Sequence, residues 1–147
     1  MQRDLLFTPV DAPSSAQRVR FEATQFLSLG LFLAFLGTGI AKLASTDFVL
    51  ATFPGWPAPA WTLMVIGLLE IAAAVLTVLP TTRLIGAAAL AMLMVGAMTY
   101  HAVVGEAVQM GVPASGALLA LVVIRLELSL RQGDQERSAA PVVSRSR

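Results

Sequence analysis

The chain contains no cysteine and a single histidine, His101. Without cysteine there are no disulfides, no thiol redox chemistry, no cysteine-ligated zinc and no iron–sulfur cluster. One imidazole argues against a haem or metal site built by this chain alone, so no metal site and no cofactor held within the chain is expected. Zero cysteines suit any redox compartment and leave the compartment open. Charge is also scarce. Charged residues make up 13% of the 147 positions, against about 25% in a typical soluble domain. The net charge is +1, so no basic field argues for a nucleic-acid partner.

The composition is instead dominated by apolar residues, at 56%. They gather in four runs, at about 26–43, 61–79, 84–104 and 112–130. Each matches the length that crosses ~30 Å of hydrocarbon at ~1.5 Å per helical residue. The runs are long and show no apolar–polar alternation, which favours helices over strands. The expected fold is all-α, a bundle of four transmembrane helices over 26–130. A polar segment at 1–25 precedes it and a polar tail at 131–147, expected to be disordered, follows. The fourth run is interrupted by Arg125, which can snorkel toward water while its neighbours stay buried.

Flanking charges set an orientation. Arg3, Arg18 and Arg20 precede run one, Arg83 separates runs two and three, and Arg125, Arg131, Arg137, Arg145 and Arg147 close the chain. With both termini cytoplasmic, nine of the ten basic residues lie inside and Lys42 alone lies outside, a strong positive-inside pattern. The expected location is the cell membrane, multi-pass. Trp56, Trp61 and Tyr100 fall at the opposite, outer end and suit a membrane–water interface. The prolines of FPGWPAPAW break any helix before run two. A short interfacial helix over 45–53 is expected ahead of them. The first run lacks a small-x-small cleavage pattern and reads as a retained span.

Few ionisable groups remain away from the inner surface. Glu70 stands at the midpoint of WTLMVIGLLEIAAAVLTVLP. An acid there costs at least ~2.5–3.5 kcal/mol on insertion, so it is expected to face the bundle interior and to keep its proton or find a partner. Gly67, Ala74 and Thr77 share its helix face, a small and slightly polar stripe that admits a close neighbour. Lys42 and His101 sit nearer the outer surface at similar depths, and Thr38 lies one turn below Lys42. These positions predict a polar pocket reaching from the outer face to the midplane, lined by Lys42, Glu70 and His101, with Tyr100 and Glu106 as weaker members. Taken singly, each residue has an ordinary reading: a snorkelling lysine, an interfacial histidine, a solvated loop acid, a helix–helix hydrogen bond at Glu70. Their convergence raises the set above its members. Met92, Met94 and Met98 cover more than one face and read as flexible packing.

The segments GTGIAKL, PGWPAPAW and GLLEIAAAVLTVLPTTRLIGAAAL, with His101 after them, resemble the DoxX-like family of small four-helix membrane proteins over about 26–124. Gly39, Lys42, Glu70 and His101 carry most of the resemblance. It implies a four-span bundle and a role as an accessory of quinol oxidase or thiosulfate:quinone oxidoreductase activity, with a quinone or a partner oxidoreductase in contact. The thiol chemistry of some members has no carrier here.

Three functions are therefore open. The first is a redox accessory subunit that meets a quinone or an oxidoreductase. The second is a cofactor-free acid–base enzyme in the membrane, an isomerase, cyclase or epoxide-opening enzyme acting on an apolar small molecule, with Glu70 as proton donor and Lys42 or His101 completing the relay. The third is a non-catalytic homo-oligomeric scaffold or transport component, suited to short helices rich in Ala and Gly.

Overall fold

The computed structural model describes residues 14–44, 47, 50, 51, 53 and 55–139. Among them the chain forms four long helices: α1 (Ser15–Ala44), α2 (Trp61–Val78), α3 (Arg83–Val104) and α4 (Gly111–Ala139). All four are long and apolar enough to cross a membrane. The all-α, four-helix expectation holds.

Two helices run further than the apolar runs alone suggest. α1 starts at Ser15, so the polar residues 15–25 are helical. A capping box begins it: the Ser14 N–H donates to Gln17 Oε1 and the Gln17 N–H donates to Ser14 Oγ, both at 3.3 Å. This reciprocal pairing satisfies two amides that a helix start leaves without partners. At the other end α4 continues through 131–139, where a disordered tail was expected. Arg131 Nε donates to Glu127 Oε1, one turn earlier, at 2.9 Å. Gly133 lies against Gln17, where a Cβ would come within 3.1 Å of the Gln17 amide nitrogen. The two polar extensions thus lean on each other and remain helical beyond the apolar core. Residues 1–13 and 140–147 lie outside the described residues. Of the expected helix over 45–53, Asp47, Leu50 and Ala51 are helical, and most of the remainder lies outside the described residues.

The helices form a ring in which each packs on its chain neighbour and α4 returns to α1. Contacts are most extensive between α1 and α2 and between α3 and α4, and sparsest between α1 and α4. The bundle is thus two close pairs. Glycine sets both approaches that matter for the site. A Cβ on Gly39 of α1 would meet the Gly67 carbonyl of α2 at 2.8 Å, and one on Gly67 would meet Lys42 Cβ at 2.9 Å. Between α2 and α3, a Cβ on Gly86 would stand 2.7 Å from the Ala73 carbonyl. Close backbone approach of this kind is how helices associate in lipid, where no hydrophobic drive brings them together.

The core is correspondingly built of small residues, among them Ala73, Ala74, Ala87 and Ala120, around Leu31 and Leu90. Large apolar side chains point outward instead: Phe26 is 74% exposed and Ile85 63%. That inverted arrangement suits hydrocarbon as the surrounding solvent.

Candidate functional site

The bundle has two polar ends, here called the tryptophan end, with Lys42, Trp56 and His101, and the arginine end, with Arg83. At the tryptophan end, Gly39 and Gly67 press α1 onto α2 and so bring Lys42 over Glu70. Lys42 Nζ donates to Glu70 Oε1 at 3.0 Å and to Oε2 at 2.8 Å. Thr38 Oγ1 adds a third hydrogen bond to Oε2 at 3.1 Å. Glu70 is buried, at 3% exposure, and its face-mates Gly67, Ala74 and Thr77 are buried with it. The expected stripe and the expected contact between Lys42 and Glu70 are both present. The alternative of a lone protonated acid gives way to an ion pair.

His101 is positioned by the end of α3. Gly105 takes a left-handed conformation (φ +80) that non-glycine residues seldom adopt. The Gly105 N–H then donates to the Ala102 carbonyl and the Glu106 N–H to the His101 carbonyl at 2.9 Å. This Schellman closure folds Glu106 back beside the ring, where His101 Nδ1–H donates to Glu106 Oε2 at 2.9 Å. A carboxylate on Nδ1 fixes the tautomer and leaves Nε2 as the other polar atom of the ring. Glu106 is therefore not a solvated loop charge but a partner of His101.

An aromatic cluster links the two pairs. Phe53 stacks on His101 with centroids 5.9 Å apart, and Lys42 Nζ stands 6.0 Å from the Phe53 ring centre. Tyr100 packs on Phe53 at 5.7 Å and on Trp56 at 5.1 Å. Trp56 Nε1–H donates to Thr62 Oγ1 at 2.8 Å, which fastens the loop to the first turn of α2.

Below this cluster lies a cavity of about 1330 Å³. Lys42, Glu70, Tyr100 and His101 line it, and the remaining walls are almost wholly apolar; Glu106 touches it only through His101. The arrangement is a large apolar chamber with an ion pair, a fixed imidazole and three aromatic rings around one end. It can stack a flat ring, donate hydrogen bonds to its polar edge and move a proton between a lysine and a carboxylate.

The arginine end holds a second network that the sequence reading missed. Arg83, whose place between two spans predicts a charge at the inner surface, is instead buried at 1% exposure. Its Nη1 donates to Glu127 Oε2 of α4 at 3.1 Å, Nη2 to Gln25 Oε1 of α1 at 3.0 Å, and Nε to the Thr77 carbonyl of α2 at 3.1 Å. One guanidinium thereby ties all four helices. The readable signal was Glu127, an acid in the apolar sequence VVIRLELSL, the same anomaly as Glu70.

Fold and site together define a multi-pass membrane protein with a polar pocket at one end of its bundle. The model of the DoxX-like family matches residues 26–124, about two-thirds of the chain, and the chain belongs to that family. Comparison with curated proteins and with solved structures gave no match.

Proposed function

We propose that the protein binds a lipid-soluble quinone at the tryptophan end of its bundle, as the accessory of a partner oxidoreductase. The observation that carries the reading is the Lys42–Glu70 ion pair set in the wall of an apolar chamber beneath Phe53, Trp56 and Tyr100. A quinone head is flat and carries carbonyl acceptors at its edge. Aromatic faces stack on it, and Lys42 supplies a charged donor in a low-dielectric setting. Reduction of a quinone takes two electrons and two protons. The partner would supply the electrons, and Lys42 and His101 are placed to hold protons beside the ring, with Glu70 and Glu106 as their counter-charges. With both termini cytoplasmic, as the arginine distribution predicts, the site faces the outside of the cell membrane.

Trp56 reports on this site directly. In a Trp61→Phe background it is the sole tryptophan, and a tailless benzoquinone should quench it saturably. Lys42→Met and Glu70→Gln should each weaken binding about tenfold or more, the scale of a lost hydrogen bond to a charged group. Unsaturable quenching, together with no oxidoreductase co-purifying from native membranes, contradicts the reading.

A second reading is a cofactor-free acid–base enzyme acting on an apolar small molecule. It is favoured by the presence of two acid–base pairs, Lys42–Glu70 and His101–Glu106, around one chamber. Full turnover by Glu70→Gln on the true substrate removes Glu70 from any such chemistry.

A further inference from the structure

The chamber is larger than a ring requires. Ligand pockets commonly measure roughly 300–1,000 Å³, and this one is about 1330 Å³. It is also long. Leu63 and Leu76 of α2 both line it, which at ~1.5 Å per residue extends it over ~20 Å of the bundle axis. Beyond the ion pair the walls are apolar, so the lower chamber suits hydrocarbon and nothing that must be solvated.

The chamber is also open sideways. Ala34 and Thr38 of α1 and Ser115 and Val122 of α4 line it and are exposed, and so are Leu69 of α2 and Met92 of α3. A residue that both lines a cavity and meets the surroundings marks a wall that the cavity breaches. Two seams carry such residues, α1–α4 and α2–α3, and we place the entrance at α1–α4 because it is the more sparsely packed. It is held shut at the arginine end, where Gln25 and Glu127 share Arg83. Nearer the tryptophan end it is bridged by the Phe35 ring, whose Cζ would lie 3.2 Å from a Cβ on Gly116. Thr38, exposed at this seam, hydrogen-bonds the buried Glu70 carboxylate.

We infer that the ligand is an amphiphile with a compact flat head and a long apolar tail, and that it enters from the bilayer between α1 and α4. The tail then occupies the lower chamber while the head rises to Lys42. This rests on the head-binding reading above and adds the tail and the route.

Two tests on Trp56, in the Trp61→Phe protein reconstituted into vesicles, separate the two ideas. Ala34→Phe and Ser115→Phe plug the seam from opposite walls and touch neither Lys42 nor Glu70. Stopped-flow quenching is followed with a tailless benzoquinone, which can reach the site from water, and with a long-tailed quinone dissolved in the bilayer. Each plug should slow quenching by the tailed quinone about tenfold, the scale of displacing a bulky ring from a packed gap, and leave the tailless rate unchanged. Equal tailed rates in parent and both plugged proteins overturn entry between α1 and α4 while the head site stands. A parent quenched by neither quinone overturns the head site and this inference with it.

Discussion

Glu70 of α2 accepts two hydrogen bonds from Lys42 Nζ of α1, at 3.0 and 2.8 Å, and a third from Thr38. Every strong donor to the carboxylate thus comes from the neighbouring helix. Site and helix packing are one object here, and a change in either is felt by the other.

Removing one member of the pair leaves a buried charge without a counter-charge. Lys42→Met should therefore lower stability by about 3–5 kcal/mol, whereas Lys42→Met combined with Glu70→Leu should recover most of that loss. Thermal unfolding in detergent compares the three proteins. A double variant no more stable than Lys42→Met alone contradicts the pairing.

The same logic applies at the arginine end with a different readout. Glu127→Leu should cost about 3–5 kcal/mol because it strands the Arg83 guanidinium. It should leave quenching of Trp56 nearly unchanged, since Arg83 and Glu127 do not line the chamber. Loss of stability with retained binding separates a structural clasp from a binding site.

Gly67 tests how the site is assembled. Gly67→Ala places a methyl 2.9 Å from both the Gly39 carbonyl and Lys42 Cβ. Relieving that contact should cost about 1–3 kcal/mol and weaken quinone binding in step, because α1 carries Lys42 away from Glu70. Gly30→Ala on α1 meets nothing within 4 Å and should change neither. Two equal outcomes would mean that close approach is irrelevant.

The His101–Glu106 hydrogen bond predicts a positioning effect. Glu106→Gln preserves shape and should keep the fold. It removes the anionic partner of Nδ1, so the His101 ring signals in NMR should show a changed tautomer balance. An unaltered ring spectrum contradicts the assigned contact.

The four spans were legible because an apolar run of membrane length has few alternatives. The meeting of Lys42 with Glu70 was legible for a related reason. Antiparallel neighbours fix depth, and an acid at mid-span demands a partner. Arg83 was misread because a basic residue between two spans fits the positive-inside pattern equally well whether it is solvated or buried. Its burial depends on Gln25 and Glu127 arriving from two other helices, which no local pattern encodes. The extension of α1 was readable after all: Ser14 and Gln17 have capping-box spacing, but the polarity of 15–25 outweighed it. Phe53 was hidden because its role depends on a loop folding over His101, a contact between segments 48 residues apart.

The most direct measurement is an experimental density map of the protein with a short-tailed quinone bound. Flat density is expected within hydrogen-bond distance of Lys42 Nζ, stacked against Phe53 or Trp56, with tail density running down the chamber past Ala73. An empty chamber at saturating quinone, or a quinone seated away from the Lys42–Glu70 pair, would contradict it.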